Sequence, residues 1–341
     1  MLDDKVVLIT GGTGSFGRKF TEYVFARHRV KKLIILSRDE FKQHEMSQMF
    51  PQDKYRIRFF LGDVRDRDRL YRAFNGVDYV IHAAALKHVM AAEYNPFEVA
   101  KTNIIGAQNI VEAAIDNGVK KVVALSTDKA VNPINLYGAT KLAMEKILVA
   151  ANSYVGTKDT AFSVVRYGNV VGSRGSVIPL FLKLIRQGAK ELPLTDERMT
   201  RFWITLDEAV EVVENALVES IGGEVFVPKM PSMKVVDLIK AICEDCRVKI
   251  VGARPGEKIH ETLVSTDESA YTIDFSNGSR QLFVVLPTLF CATKIAQKYK
   301  AFKKMPEDYP YRSDGNDLWL TVDQMKEYLR GFGNSYEMNH E

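Results

Sequence analysis

The stretch Val6-Val7-Leu8-Ile9-Thr10-Gly11-Gly12-Thr13-Gly14-Ser15-Phe16-Gly17 is an apolar, β-branched run that passes directly into regularly spaced glycines. Such a run predicts a buried strand, and the residues that follow predict a helix from Phe16 to His28. Each glycine then has a physical reason. Gly11 permits the tight turn, Gly14 lets the backbone approach a pyrophosphate, and Gly17 lets the helix pack closely, while the helix N-terminus presents unpaired N–H groups. The turn formed by Gly11, Thr13, Gly14, Ser15, Phe16 and Gly17 is therefore read as a dinucleotide site. A merely structural glycine turn is the alternative.

Outward from this turn the same alternation continues. Further strands are predicted at Leu33 to Ser37, Ile57 to Leu61, Tyr79 to Ala83, Lys121 to Leu125 and Ala161 to Arg166. Helical spacing fills Glu40 to Phe50, Arg65 to Asn75, Pro96 to Asn117 and Leu136 to Ser153. Six strands joined by five crossovers predict an α/β protein with a Rossmann-type doubly wound parallel sheet. After Arg166 the rhythm breaks into Gly-, Pro- and Arg-rich loops, which predicts a smaller, mixed α/β substrate-binding lobe. The expected division is a dinucleotide-binding domain over 1–167, joined again by 203–228, and a substrate lobe over 168–202 and 229–330.

Composition narrows the function. The 341 residues are 46% hydrophobic and 26% charged, as in an ordinary globular chain able to bury a core. Lys plus Arg number 47 and Asp plus Glu 43, a net +4 spread along the chain, too weak for a nucleic-acid footprint. The longest uncharged stretch, Gln281 to Thr293, is shorter than the roughly 20 residues a spanning helix needs. No secretory leader is legible at the N-terminus, so a cytoplasmic protein without a membrane partner is expected. The three cysteines include one close pair, Cys243 and Cys246. No second pair completes a zinc site, so no metal is expected, and the pair reads as structural or incidental thiols of a reducing compartment.

At the end of the second strand stands Ser37-Arg38-Asp39, where an NAD enzyme would place an acid against the ribose hydroxyls. A small hydroxyl followed by arginine suits a 2′-phosphate, and Lys42 can add to the same anion site, so NADP is the expected cofactor. Asp63 and Val64 are placed to meet the adenine, and Ala83 and Ala85 leave room for the cofactor backbone. Lys87 follows them into the cleft, as does His88, which reads as structural. Leu125, Ser126 and Val170 complete the expected cofactor wall.

The catalytic signal is Ser126-Thr127-Asp128-Lys129 with Tyr137-Gly138-Ala139-Thr140-Lys141. Tyr137 and Lys141 are four apart and share one helix face. A tyrosine that accepts a proton from a sugar hydroxyl needs its pKa of about 10 lowered by a cation. Lys141 is the expected cation and can also hold the nicotinamide ribose.

On these motifs the chain resembles the extended short-chain dehydrogenase/reductases that act on nucleotide sugars. The Thr-Asp-Lys-Ala segment from Thr127, the Tyr137 motif, Arg166-Tyr-Gly-Asn169-Val-Val-Gly-Ser173-Arg174-Gly175-Ser176, Met199-Thr-Arg201 and Arg254-Pro-Gly-Glu257-Lys258 resemble those of the inverting UDP-N-acetylglucosamine 4,6-dehydratases. Retaining relatives carry Thr-Asp-Glu where this chain has Thr127-Asp128-Lys129. The resemblance implies UDP-N-acetylglucosamine as substrate, inversion at C5, a homo-oligomeric dimer or hexamer, and service to pseudaminic acid and flagellin glycosylation. It also implies that Asn169, Ser173, Arg174, Gly175, Ser176, Val177, Arg201, Arg254 and Glu257, with Lys87, contact the substrate. Arginine suits its pyrophosphate because it can grip phosphate oxygens in bidentate fashion.

The side chains suggest an order of events. Tyr137 takes the C4 hydroxyl proton as C4 loses hydride; the new ketone acidifies C5. Lys129, held neutral by burial and neighbouring cations, removes the C5 proton, and Asp128, kept protonated, donates to the departing C6 hydroxyl. A nucleotide-sugar 4-epimerase would need the cofactor turn and Tyr137 but not Asp128 and Lys129. An NADP-sensing protein without turnover would need neither catalytic pair. From about Pro287 onward the chain carries no functional expectation.

Overall fold

The apolar runs form strands because their β-branched side chains suit a pleated surface covered on both sides, and the helices between them begin at side-chain caps. In the computed structural model, which describes residues 1–253, 255–277, 280–288 and 292–337, the first half runs in strict alternation. Its elements are β1 (Val6–Thr10), α1 (Ser15–Arg27), β2 (Lys32–Ser37), α2 (Glu40–Met49), β3 (Ile57–Leu61), α3 (Arg67–Phe74) and β4 (Tyr79–His82). There follow α4 (Val89–Tyr94), α5 (Pro96–Ala100), α6 (Gly106–Asp116), β5 (Lys121–Thr127), α7 (Leu136–Ala151) and β6 (Ala161–Tyr167). Asp39, Asp66 and Asn135 cap α2, α3 and α7 by accepting from backbone N–H groups in the first turn.

All six predicted strands are present and pair in parallel in the order β6-β5-β4-β1-β2-β3, with Val7 opposite both Leu33 and Tyr79. Val7, Leu8 and Ile9 are fully buried, as expected of a central strand packed on both faces. The helix expected over Pro96 to Asn117 is interrupted by a π-helical turn, Lys101–Ile105. That turn holds Asn103, which accepts from Leu86 N–H and donates to Leu86 C=O and Thr140 Oγ. The loop after β4 is thereby tied to the helix that carries Tyr137.

The second half contains β7 (Asn169–Val170), α8 (Val177–Arg186), β8 (Glu191–Leu194), β9 (Thr200–Ile204), α9 (Leu206–Glu219) and β10 (Val225–Pro228). Then come β11 (Ser232–Lys234), α10 (Val235–Ile242), β12 (Arg247–Ile250), β13 (Thr262–Val264), α11 (Thr266–Ser269), β14 (Thr272–Asn277) and β15 (Arg280–Val285). The chain closes with α12 (Ala292–Tyr299), β16 (Lys303–Lys304), β17 (Tyr311–Arg312) and α13 (Val322–Glu337). β10 returns to the large sheet beside β6. The boundary drawn at 229–330 is corrected here: β15, β14 and β16 extend that sheet antiparallel beyond β10. Their apolar residues, such as Phe275, Leu282 and Val284, are buried in the same core as the first domain, so this hairpin belongs with it.

The substrate lobe has its own smaller cores. One gathers Phe181, Leu192, Leu194, Met199, Val235 and Ile239, and another Val171, Ile178, Trp203, Met233, Leu238 and Met325. The free thiols expected at Cys243 and Cys246 are also corrected. They form a disulfide, because the chain turns as α10 ends, Cys246 N–H donating to Cys243 C=O, and brings the two Cα atoms to 5.3 Å. Among the described residues no helix is long and apolar enough to cross a membrane.

Candidate active site

Parallel strands that reverse their order leave a crevice at their C-terminal ends. Here the strand order reverses between the neighbouring strands β1 and β4, and the loops after β1 to β6 open into a cavity of about 950 Å³ that the second lobe covers.

At its floor lies the glycine turn. A Cβ on Gly11 would stand 2.8 Å from Ala84 Cα, and one on Gly17 2.5 Å from Gly12 Cα, so only glycine keeps this groove open. Gly14 occupies the N-cap of α1 with no side-chain cap, which leaves the first N–H groups facing the groove. Beside it Thr13 Oγ1 and Ser37 Oγ are 2.8 Å apart. Arg38 is half-exposed and 3.6 Å from Asp63; Lys42 pairs with Asp39 at 2.5 Å. Burial would raise the Asp63 carboxyl, but Arg65 and then Arg38 hold it below the usual range. Every feature of this groove fits a dinucleotide whose pyrophosphate meets α1. Among the described residues no group of three or more His, Cys, Asp or Glu is arranged to hold a metal.

Above the groove stand the reactive groups. Asn135 caps α7 through Gly138 N–H and donates to Gly256 C=O, which fixes the start of the helix against the second lobe. Gly138 lets α7 lie directly on the Lys129 carbonyl. Tyr137 is thereby held near Thr127 and Lys129. Burial pushes its pKa up to about 12, while Lys129 and Thr127 pull the other way. Lys141 Nζ donates to Leu125 C=O at 2.6 Å and lies 2.9 Å from Met144 Sδ. Burial lowers the Lys141 pKa to about 8, opposed by Glu145.

Asp128 and Lys129 sit on the 3-10 turn that follows β5. Lys129 Nζ is 3.0 Å from Asp128 Oδ1 and 3.3 Å from Glu261 Oε1. Burial opposes the charge on Lys129, but the two carboxylates outweigh it and hold the pKa above the ordinary value. The neutral lysine expected from sequence is therefore an ammonium in the resting protein, because its neighbours are acids more than cations. Asp128 moves in the expected direction: burial and then the Glu261 charge raise its carboxyl. Its Oδ1 accepts from Thr127 Oγ and Lys129, and its buried Oδ2 has no partner.

The described candidates, Asp128 excepted, all contribute to the cavity wall; Asp128 is fully buried behind Thr127 and Lys129. Arg254 lies outside the described residues. Arg174 N–H donates to Ser15 Oγ at 3.4 Å, which sets it over the glycine turn. Arg201 is spoken for by its own chain, donating to the carbonyls of Thr200, Lys258 and Ile259. Glu257 accepts from Thr195 Oγ at 3.0 Å. Sequence reasoning passed over Glu261, which is 2% exposed, sits beside Lys129 and lies 3.7 Å from Arg201 Nε. No spacing links it to Thr127-Asp128-Lys129; the only hint was its place just after Arg254-Pro-Gly-Glu257-Lys258. Its backbone is clamped by Ser313, whose N–H donates to Glu261 C=O while Ser313 Oγ accepts from Glu261 N–H.

Known proteins resemble this chain over most of its length. A family model described as polysaccharide biosynthesis protein matches residues 7–281. Over 337 residues the chain is 50% identical to the UDP-N-acetylglucosamine 4,6-dehydratase (inverting) of Campylobacter jejuni, covering 96% of this chain and 98% of that one. It is 43% identical over 287 residues to a UDP-glucose 4-epimerase of Rickettsia prowazekii, covering 82% and 83%. The solved structure of Pen from Bacillus thuringiensis superposes with a TM-score of 0.86 at 36% identity, covering 97% of this chain and 99% of that one.

Proposed function

This chain belongs to the polysaccharide biosynthesis protein family, of extended short-chain dehydrogenase/reductase type, and on that premise we propose that it is an inverting UDP-N-acetylglucosamine 4,6-dehydratase. The product would be UDP-2-acetamido-2,6-dideoxy-β-L-arabino-hex-4-ulose. The observation that carries the reading is that Tyr137 and Lys129 meet at one cavity next to a dinucleotide groove, with Asp128 paired to Lys129 behind it. The first suits oxidation at C4, the second elimination across C5 and C6.

NADP is the proposed cofactor, held by the glycine turn, Ser37, Arg38 and Lys141; when bound it accepts hydride from C4 and later returns it to C6. Tyr137 is protonated at rest, so it first releases its phenolic proton to solvent through the cavity, and as the tyrosinate, which Lys129 and Thr127 favour, it accepts the C4 hydroxyl proton as hydride departs. Lys129 lines the cavity and is the proposed base at C5. To act it first passes its proton to a neighbouring carboxylate, and 3.3 Å away Glu261 offers one. Asp128 is the proposed source of the proton that leaves with the C6 hydroxyl as water, reaching the cavity past Lys129. The UDP pyrophosphate is proposed to lie toward Asn169 and the Ser173–Val177 turn. Action in the cytoplasm as a homo-oligomer belongs to the same proposal.

A nucleotide-sugar 4-epimerase remains the second reading, favoured by the similarity to the Rickettsia protein. It leaves the buried charges around Lys129 without a task. Proton NMR of the protein with NADP and UDP-N-acetylglucosamine in deuterated water separates the two. A C6 methyl beside a C4 ketone or its hydrate, deuterium at C5 and L-arabino couplings are expected. A persistent 6-hydroxymethyl with a new C4 epimer would overturn the dehydratase reading.

A further inference from the structure

Lys129 is one cation facing two buried carboxyls. Its Nζ lies 3.0 Å from Asp128 Oδ1 and 3.3 Å from Glu261 Oε1. Asp128 and Glu261 are 0% and 2% exposed, and each keeps one oxygen, Oδ2 and Oε2, buried without a hydrogen-bond partner. Two like charges in so dry a place repel strongly, and the one ammonium that touches both is shared between them while the other nearby cations favour Glu261, so the two do not both stay ionised. One of the two carries a proton.

The surroundings decide which. Glu261 faces Arg201 Nε at 3.7 Å from β9 and feels the Lys258 charge from its own loop, in addition to Lys129. Asp128 has Lys129 and the Thr127 hydroxyl from its own turn, faces Tyr137 from α7, and feels the Lys258 charge less than Glu261 does, with Arg201 pairing with Glu261 instead. Lys87, from the loop after β4, adds its charge on the Lys129 side. The negative charge therefore settles on Glu261. We propose that Glu261 is the counter-ion of Lys129, and so the positioning residue that keeps the proton on Asp128.

The proton assignment does not depend on which reaction is catalysed, whereas its catalytic meaning, an acid stocked for departure of the C6 hydroxyl, rests on the dehydratase reading. Ser313 fits the picture as a brace. By exchanging two hydrogen bonds with the Glu261 backbone it fixes the carboxylate at the distance that sets the balance.

The test is infrared difference spectroscopy of the whole enzyme in the carbonyl-stretch region, comparing wild type with Asp128→Asn, Glu261→Gln and Glu261→Asp. Wild type at neutral pH is expected to show a protonated-carboxyl band that Asp128→Asn lacks. Glu261→Gln is expected to lose the same band, since without the competing anion Asp128 becomes the partner of Lys129. Glu261→Asp keeps a carboxylate and is expected to keep the band, with a lower titration midpoint, because the shorter side chain repels Asp128 less; it also serves if Glu261→Gln fails to fold. A band unchanged in Glu261→Gln, absent from wild type, or surviving in Asp128→Asn would overturn the proposal. Product NMR on wild type scores the dehydratase reading separately: no 6-deoxy-4-keto sugar would sink that reading and leave the proton assignment standing on its band.

Discussion

Replacing Gly138 with alanine tests whether the seat of α7 on the Asp128–Lys129 turn is as tight as described. Two effects oppose each other. In a helix interior alanine is favoured over glycine by about 1 kcal/mol, and by less in the first turn, where Gly138 lies. Against this, the added methyl would stand 3.0 Å from the Lys129 carbonyl carbon and 3.1 Å from Pro133 Cβ, and closer still to the Lys129 oxygen. The opposing atoms include backbone on the turn that carries Lys129, so no side chain can rotate away. Overpacking of this kind costs about 1–3 kcal/mol and more where nothing yields, so the clash wins. Relief requires α7 and the turn to separate by about 1 Å, and misplacement on that scale costs roughly 100-fold in rate. We expect Gly138→Ala to lower the thermal midpoint by about 2–4 °C and kcat by roughly 100-fold, with cofactor affinity little changed. Calorimetry and the product assay read these directly. A variant as stable as wild type and within a factor of two in kcat would refute the close packing of helix on turn.

Other outcomes follow from single contacts. Arg38→Ala should weaken NADP binding by about tenfold and leave NAD binding within a factor of two, measured by titration calorimetry, if Arg38 meets a 2′-phosphate. Lys141 is charged at about pH 8 and below in the folded state but up to 10.5 when unfolded. Between those values the unfolded chain binds more protons, so wild-type stability should rise relative to Lys141→Met by up to about 3 kcal/mol as pH increases, as denaturant titrations would show. Below pH 8 the difference should be flat. With Cys243 and Cys246 joined, thiol titration of unreduced, denatured protein should return one of the three cysteines as reactive.

Local patterns were legible because they depend on neighbours in the chain. The β1 run, the glycine turn and the Tyr137 and Lys141 helix face are set by periodicities of 2 and 3.6, and the structure has them within a residue or two of the expected bounds. What sequence reasoning missed depends on residues brought together from afar. The hairpin β14–β15 joins the large sheet because its apolar face finds β10, a pairing no local spacing announces. The π-helical turn reflects the inward Asn103, not any helix breaker. The ionisation of Lys129 was misjudged because its decisive partner, Glu261, comes from the far end of the chain. Nor does spacing say where the long side chain of Lys141 points, which is to the Leu125 carbonyl.

The clamp between Ser313 and Glu261 bears on where this protein can be cut. The family match ends at residue 281, and a chain trimmed there would contain every motif quoted above. It would nonetheless lack β17, which pairs with β13, and Ser313, which also touches Thr200 Oγ1 at 2.6 Å on β9. Such a fragment would read as a whole enzyme to any search by motif, yet the wall behind its lysine would have lost its buttress. The tail that looks dispensable in sequence is, in three dimensions, masonry of the active site.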